Sequence, residues 1–137
     1  MRFSKLRAEG RSHIVVNTID CPDDDWKRLA AMFCAESSGV SGDGFAVLSH
    51  RGRAAFDLLC FDPDGTPAET DAPPAACAAL SIRRRYGYQR ALLHSNGRAY
   101  STQITGETVS LQPWPAGEST SLRKVRVTYL LEGELIG

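Results

Sequence analysis

The spacing of apolar residues along the chain predicts two helices of different character. Residues 23–37 form the first, in which apolar side chains recur at helical spacing and leave the other side polar. Its predicted buried stripe is Trp26, Leu29, Ala30 and Phe33. Residues 73–86 form the second, which is apolar on nearly every side from Ala75 to Ile82. A helix that is apolar all round is buried, so this one is predicted to lie at the centre of the fold.

Segments rich in β-branched and aromatic residues, bounded by turn residues, predict the strands. They cover residues 3–6, 13–19, 45–48, 54–61, 90–95, 99–105, 108–111 and 124–131. Asn96 and Gly97 form a strong hairpin turn, and residues 113–121 are predicted to be a loop. The pattern predicts an α+β fold, in which a mostly antiparallel sheet or barrel wraps around the central apolar helix and one further helix lies outside.

Length and charge limit the classes of function. The 137 residues suffice for one hydrophobic core, and we expect residues 1–137 to form a single domain. Lysine and arginine together number 16, as do aspartate and glutamate, so the formal net charge is zero. No nucleic-acid partner is expected, because such proteins usually carry a basic excess. No apolar run approaches the ~20 residues of a membrane span, and the amino terminus lacks a signal-peptide pattern, so we expect a cytoplasmic protein without membrane contact.

The cysteines and histidines do not predict a metal or cofactor site. The three histidines lack metal-ligand spacing, and no two cysteines form a Cys-x-x-Cys pair. In a reducing compartment, cysteines that are not paired in this way are typically small packing residues. We therefore expect no metal and no cofactor, and we expect all four cysteines to be buried: Cys21, Cys34, Cys60 and Cys77.

Four segments carry a family resemblance. They are the opening residues 3–16, with Phe3, Lys5 and Gly10; residues 39–45, Gly-Val-Ser-Gly-Asp-Gly-Phe; residues 61–69, Phe-Asp-Pro-Asp-Gly-Thr-Pro-Ala-Glu; and residues 125–135 at the tail. In this order and spacing they resemble the N-terminal lobe of diaminopimelate epimerase, whose extreme C-terminus returns to complete that lobe. The resemblance covers about the whole chain and implies a single epimerase-like lobe.

The same resemblance implies that a second lobe is absent near residues 116–121. The family builds its site in a cleft between two pseudo-symmetric lobes, with one cysteine from each. A single lobe has only half of such a cleft. Two copies related by a two-fold axis would mimic the two-lobed monomer, so a homodimer is expected, with a monomer carrying an open site as the alternative.

Residues at the site differ from the family pattern. The catalytic cysteine, which in the family stands at the N-terminus of the central helix, falls on Asp71. The Gly-Asn-Gly that follows it falls on residues 72–74, where two prolines remove backbone N–H donors. The substrate-binding asparagine of the first hairpin falls on Arg11, and that of the Phe-Asn motif falls on Asp62. We therefore expect this site to bind the charged groups of an amino-acid substrate poorly.

Each candidate residue has a functional and a structural interpretation. Asp71 is predicted either to replace the thiolate as proton acceptor or to cap the helix. Asp62 either takes part in catalysis or begins a turn. The predicted substrate-binding residues are Arg11, His13, Asp43 and Glu69. Among these, His13 could equally be a half-buried strand residue, Asp43 a turn residue and Glu69 a structural one; the related phenazine-pathway isomerases use a carboxylate near the loop that contains Asp43.

Three functions remain open on this sequence. The first is a cofactor-independent isomerase or cyclase that acts on a small organic molecule such as a natural-product intermediate. The second is an amino-acid racemase or epimerase that uses carboxylates, against which the two prolines argue. The third is a non-catalytic binding or scaffold protein that keeps one lobe for its surface.

Overall fold

The computed structural model describes residues 1–21, 25–115 and 122–134. Nine strands and two α-helices make up the fold of this part of the chain. The strands are β1 (Arg2–Ala8), β2 (Arg11–Asn17), β3 (Gly44–Gly52), β4 (Ala55–Phe61), β5 (Pro67–Ala68), β6 (Arg90–Ser95), β7 (Arg98–Thr105), β8 (Thr108–Trp114) and β9 (Arg123–Glu134). The helices are α1 (Trp26–Cys34) and α2 (Ala72–Tyr86).

Eight of the strands close into a mixed barrel. Their order is β3-β2-β1-β9-β8-β7-β6-β4, and the pairing of β3 with β4 completes the ring. Two neighbouring pairs are parallel, β2 with β3 and β4 with β6, while the other barrel pairs are antiparallel. The short strand β5 extends β4 on its outer edge. Closure leaves none of these eight strands as a free edge of the sheet.

Helix α2 passes through the barrel and contacts each of its eight strands. Its residues from Pro73 to Ile82 are all buried, as the sequence predicts for a central helix. Half of these side chains are alanine or cysteine, and small side chains let eight strands approach one helix closely. The helix ends at Gly87, which adopts a left-handed conformation and donates its N–H to the Arg83 carbonyl oxygen.

Helix α1 packs on the outside of the barrel. It buries Leu29, Ala30 and Phe33 against a second apolar cluster, in which the Phe33 ring contacts those of Phe3 and Phe45. The carboxylate of Asp25 accepts a hydrogen bond from the Arg28 N–H and caps the helix. In the part of the chain that the structure describes, neither helix is long and apolar enough to cross a membrane.

Several predicted boundaries differ from the observed ones. The first helix was predicted from residue 23, which lies outside the described residues, to residue 37, but α1 ends at Cys34 and a separate 3₁₀ turn covers Glu36–Ser38. Ile19 was predicted to end a strand; it instead lies in a 3₁₀ turn and is 74% exposed. The predicted loop at 113–121 begins later, because Pro113 and Trp114 pair with β7. Residues 116–121 lie outside the described part.

Candidate functional site

The candidate site lies where helix α2 begins, at one end of the barrel. A cavity of about 120 Å³ opens here against the first turn of the helix. Its walls combine apolar side chains with two charged ones: Thr70, Asp71, Ala72, Ala75, Tyr100, Leu111 and Arg123. The central helix and strands β7, β8 and β9 therefore supply one shared concave surface.

Asp71 occupies the N-cap position of α2 but does not cap the helix. Its side chain makes no capping hydrogen bond, although the sequence suggested this role. The carboxylate instead pairs with the guanidinium of Arg11 at 3.0 Å, and both side chains are about half exposed. Arg11 begins strand β2 and is 60 residues away in sequence. The carboxylate is thus held in place by the barrel wall while it faces the cavity.

The first turn of α2 has few free backbone donors. Of its first three residues only Ala72 carries a backbone N–H, since Pro73 and Pro74 have none. The next N–H, that of Ala75, is donated to the Asp71 carbonyl oxygen at 3.3 Å. A helix N-terminus normally binds anions through several such groups. This helix start is therefore poorly suited to hold a substrate carboxylate.

Asp43 fastens the loop before β3 to strand β2. Its carboxylate accepts hydrogen bonds from the Ser12 N–H at 2.9 Å and from the Ser12 hydroxyl at 3.3 Å. In return the Asp43 N–H is donated to the Ser12 carbonyl oxygen at 2.8 Å. These bonds place Asp43 next to the strand residues Arg11 and His13. The carboxylate is therefore already hydrogen-bonded to Ser12, and it holds the start of β2 in place beside the site.

His13 is a buried side chain rather than a half-buried one. It is 2% exposed, and neither ring nitrogen has a hydrogen-bond partner in the structure. Burial, and next the positive charge of Arg11, lower the pKa of His13 from 6.5 to about 4, while Asp71 and Asp43 act weakly in the opposite direction. The imidazole is consequently neutral at pH 7.

Asp62 and Glu69 are not drawn into the same cluster by any described hydrogen bond or ion pair. Asp62 begins the turn before β5, where its backbone N–H is donated to the Thr66 carbonyl oxygen and its own carbonyl oxygen accepts from Gly65. That turn packs against helix α1, since a Cβ at Gly65 would lie 2.5 Å from the Lys27 carbonyl oxygen. Glu69 is exposed on the segment that leads to the helix. Glu69 thus lies on the approach to α2, whereas Asp62 lies in a turn beside α1.

All four cysteines are free and buried, as predicted. Burial is the main cause that raises the pKa of Cys34 and of Cys60 to about 11, and that of Cys77 to about 12. These three thiols are therefore protonated at neutral pH and cannot serve as thiolate bases. Acid–base chemistry at this end of the barrel therefore falls to the carboxylates.

Sequence reasoning missed residues that the barrel brings to the site from distant strands. The guanidinium of Arg123 donates to both carboxylate oxygens of Glu9, at 2.5 and 2.7 Å, across 114 residues of sequence. Tyr100 enters the cavity wall from β7. The Thr70 hydroxyl, next to Asp71, is hydrogen-bonded to that of Ser95 at 2.5 Å. No local pattern marks these residues, because their proximity depends on which strands become neighbours.

Comparison with known proteins identifies the relatives of this barrel. No protein-family model matches the sequence. A curated diaminopimelate epimerase from Desulforudis audaxviator, however, is 33% identical over 112 residues, which cover 80% of the chain and 36% of that protein. The chain is a divergent member of the diaminopimelate epimerase family. It spans about a third of the length of the curated relatives that it matches.

Solved structures support the same fold. A phenazine biosynthesis protein of the PhzF family from Enterococcus faecalis superposes with a TM-score of 0.66 at 12% identity, over 81% of this chain and 43% of that one. A hydroxyproline epimerase from Agrobacterium vitis, with trans-4-hydroxy-L-proline bound, gives 0.58 at 13% identity, over 82% of this chain and 41% of that one. At such identities the likeness concerns the fold alone. The barrel with its central helix is a single diaminopimelate-epimerase-like lobe.

Proposed function

We propose that the chain is a cofactor-independent isomerase or cyclase that acts on a small organic molecule at the α2 end of the barrel. One observation carries this proposal: the Asp71 carboxylate lines a cavity at the helix start and is free of the capping role that its position would normally impose. Epimerases among the relatives, and the place of Asp71 in the family motif, support the same class of chemistry.

Asp71 is the proposed acid–base residue. As a carboxylate it can take a proton from carbon next to a carbonyl group and return it at another carbon. Arg11, paired with it at 3.0 Å, would keep the carboxylate oriented and supply positive charge near the reacting atoms. We assign this role to Asp71 rather than to Asp62, because the Asp62 turn packs against α1 and does not line the cavity.

The proposed substrate is neutral where it meets the helix. The two prolines leave little backbone N–H to bind a carboxylate, and Tyr100, Leu111 and Ala75 give the cavity apolar walls. Both features disfavour an amino acid, which would bring two charges into this space. A carbonyl compound with an apolar body, such as an intermediate of natural-product biosynthesis, fits the walls better.

Hydrogen exchange in D₂O tests the proposal directly. The protein is incubated with cyclohexanone and N-acetylalanine methyl ester as neutral probes, and with alanine and diaminopimelate as zwitterionic ones, and loss of the proton next to the carbonyl is followed by NMR. We expect exchange above the buffer rate for the neutral probes only. Exchange of the amino acids would favour a carboxylate racemase instead, and no exchange with any probe would favour a non-catalytic scaffold.

We further propose that the chain forms a homodimer through an apolar groove on the outside of the barrel. The groove has a volume of about 850 Å³, runs over strands β3, β4, β6, β7 and β8, and includes the charged residues Arg51, Asp57 and Arg98. It presents Leu59, 47% exposed, and Trp114, 55% exposed, beside Tyr100. Exposed aromatic and aliphatic side chains gathered in one groove are typical of an interface. Because Tyr100 also lines the cavity, a partner seated there would extend the candidate site.

Replacing Trp114 by glutamate tests the dimer. A charge in an apolar interface is expected to weaken self-association at least tenfold, measured by sedimentation velocity across a range of concentrations. Ile19→Glu is the matched control, since Ile19 is also an exposed apolar residue but lies outside the groove. A wild-type chain that sediments as a monomer at all concentrations would contradict the proposal, as would equal weakening by both variants.

A further inference from the structure

The buried imidazole of His13 makes no hydrogen bond in the structure. Residues alternate along β2, so that Val15 packs in the core around α2 while Ile14 and Val16 face α1. His13 lies on the same face of β2 as Val15, and its side chain therefore points into the barrel. Arg11 lies on the same face of β2 two residues before His13 and pairs with Asp71 at 3.0 Å, which places the ring near the α2 start. A buried polar side chain without a partner is unfavourable, so its presence needs a reason.

Gly44 makes room for this ring and fixes which nitrogen is available. Gly44 is the register partner of His13 on strand β3, and a Cβ there would lie only 2.7 Å from Nδ1. Nδ1 is thus packed against the backbone carbon of Gly44, where an N–H would meet no acceptor. A lone pair on Nδ1 facing a C–H group is the better arrangement. The proton of the neutral ring then lies on Nε2, which is left as a donor.

We infer that His13 is a binding residue whose Nε2–H is kept unpartnered to donate a hydrogen bond to a neutral carbonyl oxygen of the substrate. This inference rests on the function proposed above and deepens it. A neutral donor in a desolvated site suits a carbonyl oxygen that gains negative charge during the reaction. The pKa lowered to about 4 agrees with a ring that stays neutral throughout.

The proposed step balances without any further reagent. The Asp71 carboxylate takes a proton from the carbon next to the carbonyl group, and the electron pair of that C–H bond forms the C=C bond of an enolate. The carbonyl oxygen receives the negative charge and accepts the Nε2–H of His13. Return of the proton from Asp71 to a different carbon, or to the other face, restores the carbonyl group and gives the isomer.

Access to Nε2 requires a movement at the mouth of the barrel, because both ring nitrogens are closed off from solvent and His13 does not itself line the cavity. The Arg11–Asp71 ion pair is the charged pair that acts on the ring. Both of its side chains are about half exposed, and such pairs are held weakly. We expect the pair to shift as a unit when a ligand enters, so that Asp71 stays oriented by Arg11 and meets the ligand together with His13.

The test uses NMR of the histidine ring nitrogens in ¹⁵N-labelled protein, with cyclohexanone as the neutral probe and alanine as the charged one. In the free protein His13 should be the neutral Nε2–H tautomer at pH 6, with the shift of a proton that is not hydrogen-bonded. Cyclohexanone should move that signal and alanine should not. A proton on Nδ1, an imidazolium, or an Nε2–H already hydrogen-bonded to a buried water would overturn the inference.

Two variants separate this inference from the proposed function. His13→Phe keeps a ring without a donor and should weaken cyclohexanone binding at least tenfold without lowering the urea midpoint, since it removes an unpartnered polar group. His13→Gln restores an N–H donor and should recover part of that binding. If the wild-type protein catalyses exchange and His13→Phe matches it in binding and rate, the proposed function stands and the role of His13 is wrong. If the His13 signal responds to the probe but no exchange occurs, the proposed function is the part that fails.

Discussion

Asp71→Asn is expected to lower the rate of proton exchange by roughly 100- to 10,000-fold, the usual contribution of a general base. The amide keeps the shape of the side chain and a contact with Arg11, but it cannot accept a proton. Folding should change little, because an ion pair between half-exposed side chains contributes at most about 1 kcal/mol. The measurement is the exchange rate of the most active probe in D₂O, with the urea midpoint recorded for each variant.

Glu107→Gln is the control for that experiment. Glu107 forms an exposed ion pair with Arg126 at 3.7 Å and lines neither the cavity nor the groove. Loss of this pair should leave the exchange rate within twofold of wild type. An Asp71→Asn variant that retains full activity would exclude Asp71 as the base and would direct attention to Asp62 and Glu69. Equal loss in both variants would point to a general effect of breaking surface ion pairs.

Phe56→Ala is expected to destabilise the protein by about 3–5 kcal/mol, the range for removing a large buried aromatic side chain. Phe56 on β4 is completely buried at the C-terminal end of α2. Its ring lies 4.3 Å from that of His50, 5.3 Å from that of Tyr86 and 6.3 Å from that of Tyr88, measured between centroids. Alanine would leave a cavity where the barrel wall meets the central helix. The free energy of unfolding in urea measures the loss.

Leu59→Ala on the same strand provides the comparison. Leu59 is 47% exposed, so its truncation should cost less than about 1 kcal/mol when unfolding is measured at a concentration at which the chain is monomeric. A small effect at Phe56, equal to that at Leu59, would mean that the ring cluster does not support the helix end. Since α2 also carries Asp71 at its start, a loosened Phe56→Ala barrel should lose activity in proportion to the unfolded fraction.

Local pattern was sufficient for the helices and for most strands. The central helix was predicted at 73–86 and is observed at Ala72–Tyr86, because its run of small apolar residues is incompatible with an exposed position. The strand predicted at 90–95 is observed at Arg90–Ser95. The outer helix was predicted too long at its C-terminal end, since nothing in the composition of residues 35–37 distinguishes an α-helix from the 3₁₀ turn that follows.

The site was only partly predictable. The family resemblance named Asp71 and Arg11 separately, but it could not place them in a single ion pair. Nor could it show that Asp71 leaves its helix uncapped, because an aspartate before two prolines is typical of a cap. The burial of His13 was underestimated, since a histidine in a strand is compatible with either face and only Gly44 on the neighbouring strand makes the interior position possible.

By itself, the sequence determined the α+β class, the central helix, the family resemblance and the loss of backbone donors at Pro73 and Pro74. These are properties of residue type and spacing, which act over a few positions of the chain. The tertiary structure decided that two parallel strand pairs help to close the barrel, and that Arg123 meets Glu9 across 114 residues. It also decided that one aspartate faces a cavity while another is held in a turn. These contacts depend on which strands become neighbours. The free energy that favours one strand order over another comes from packing throughout the core, and no single segment of the sequence determines it.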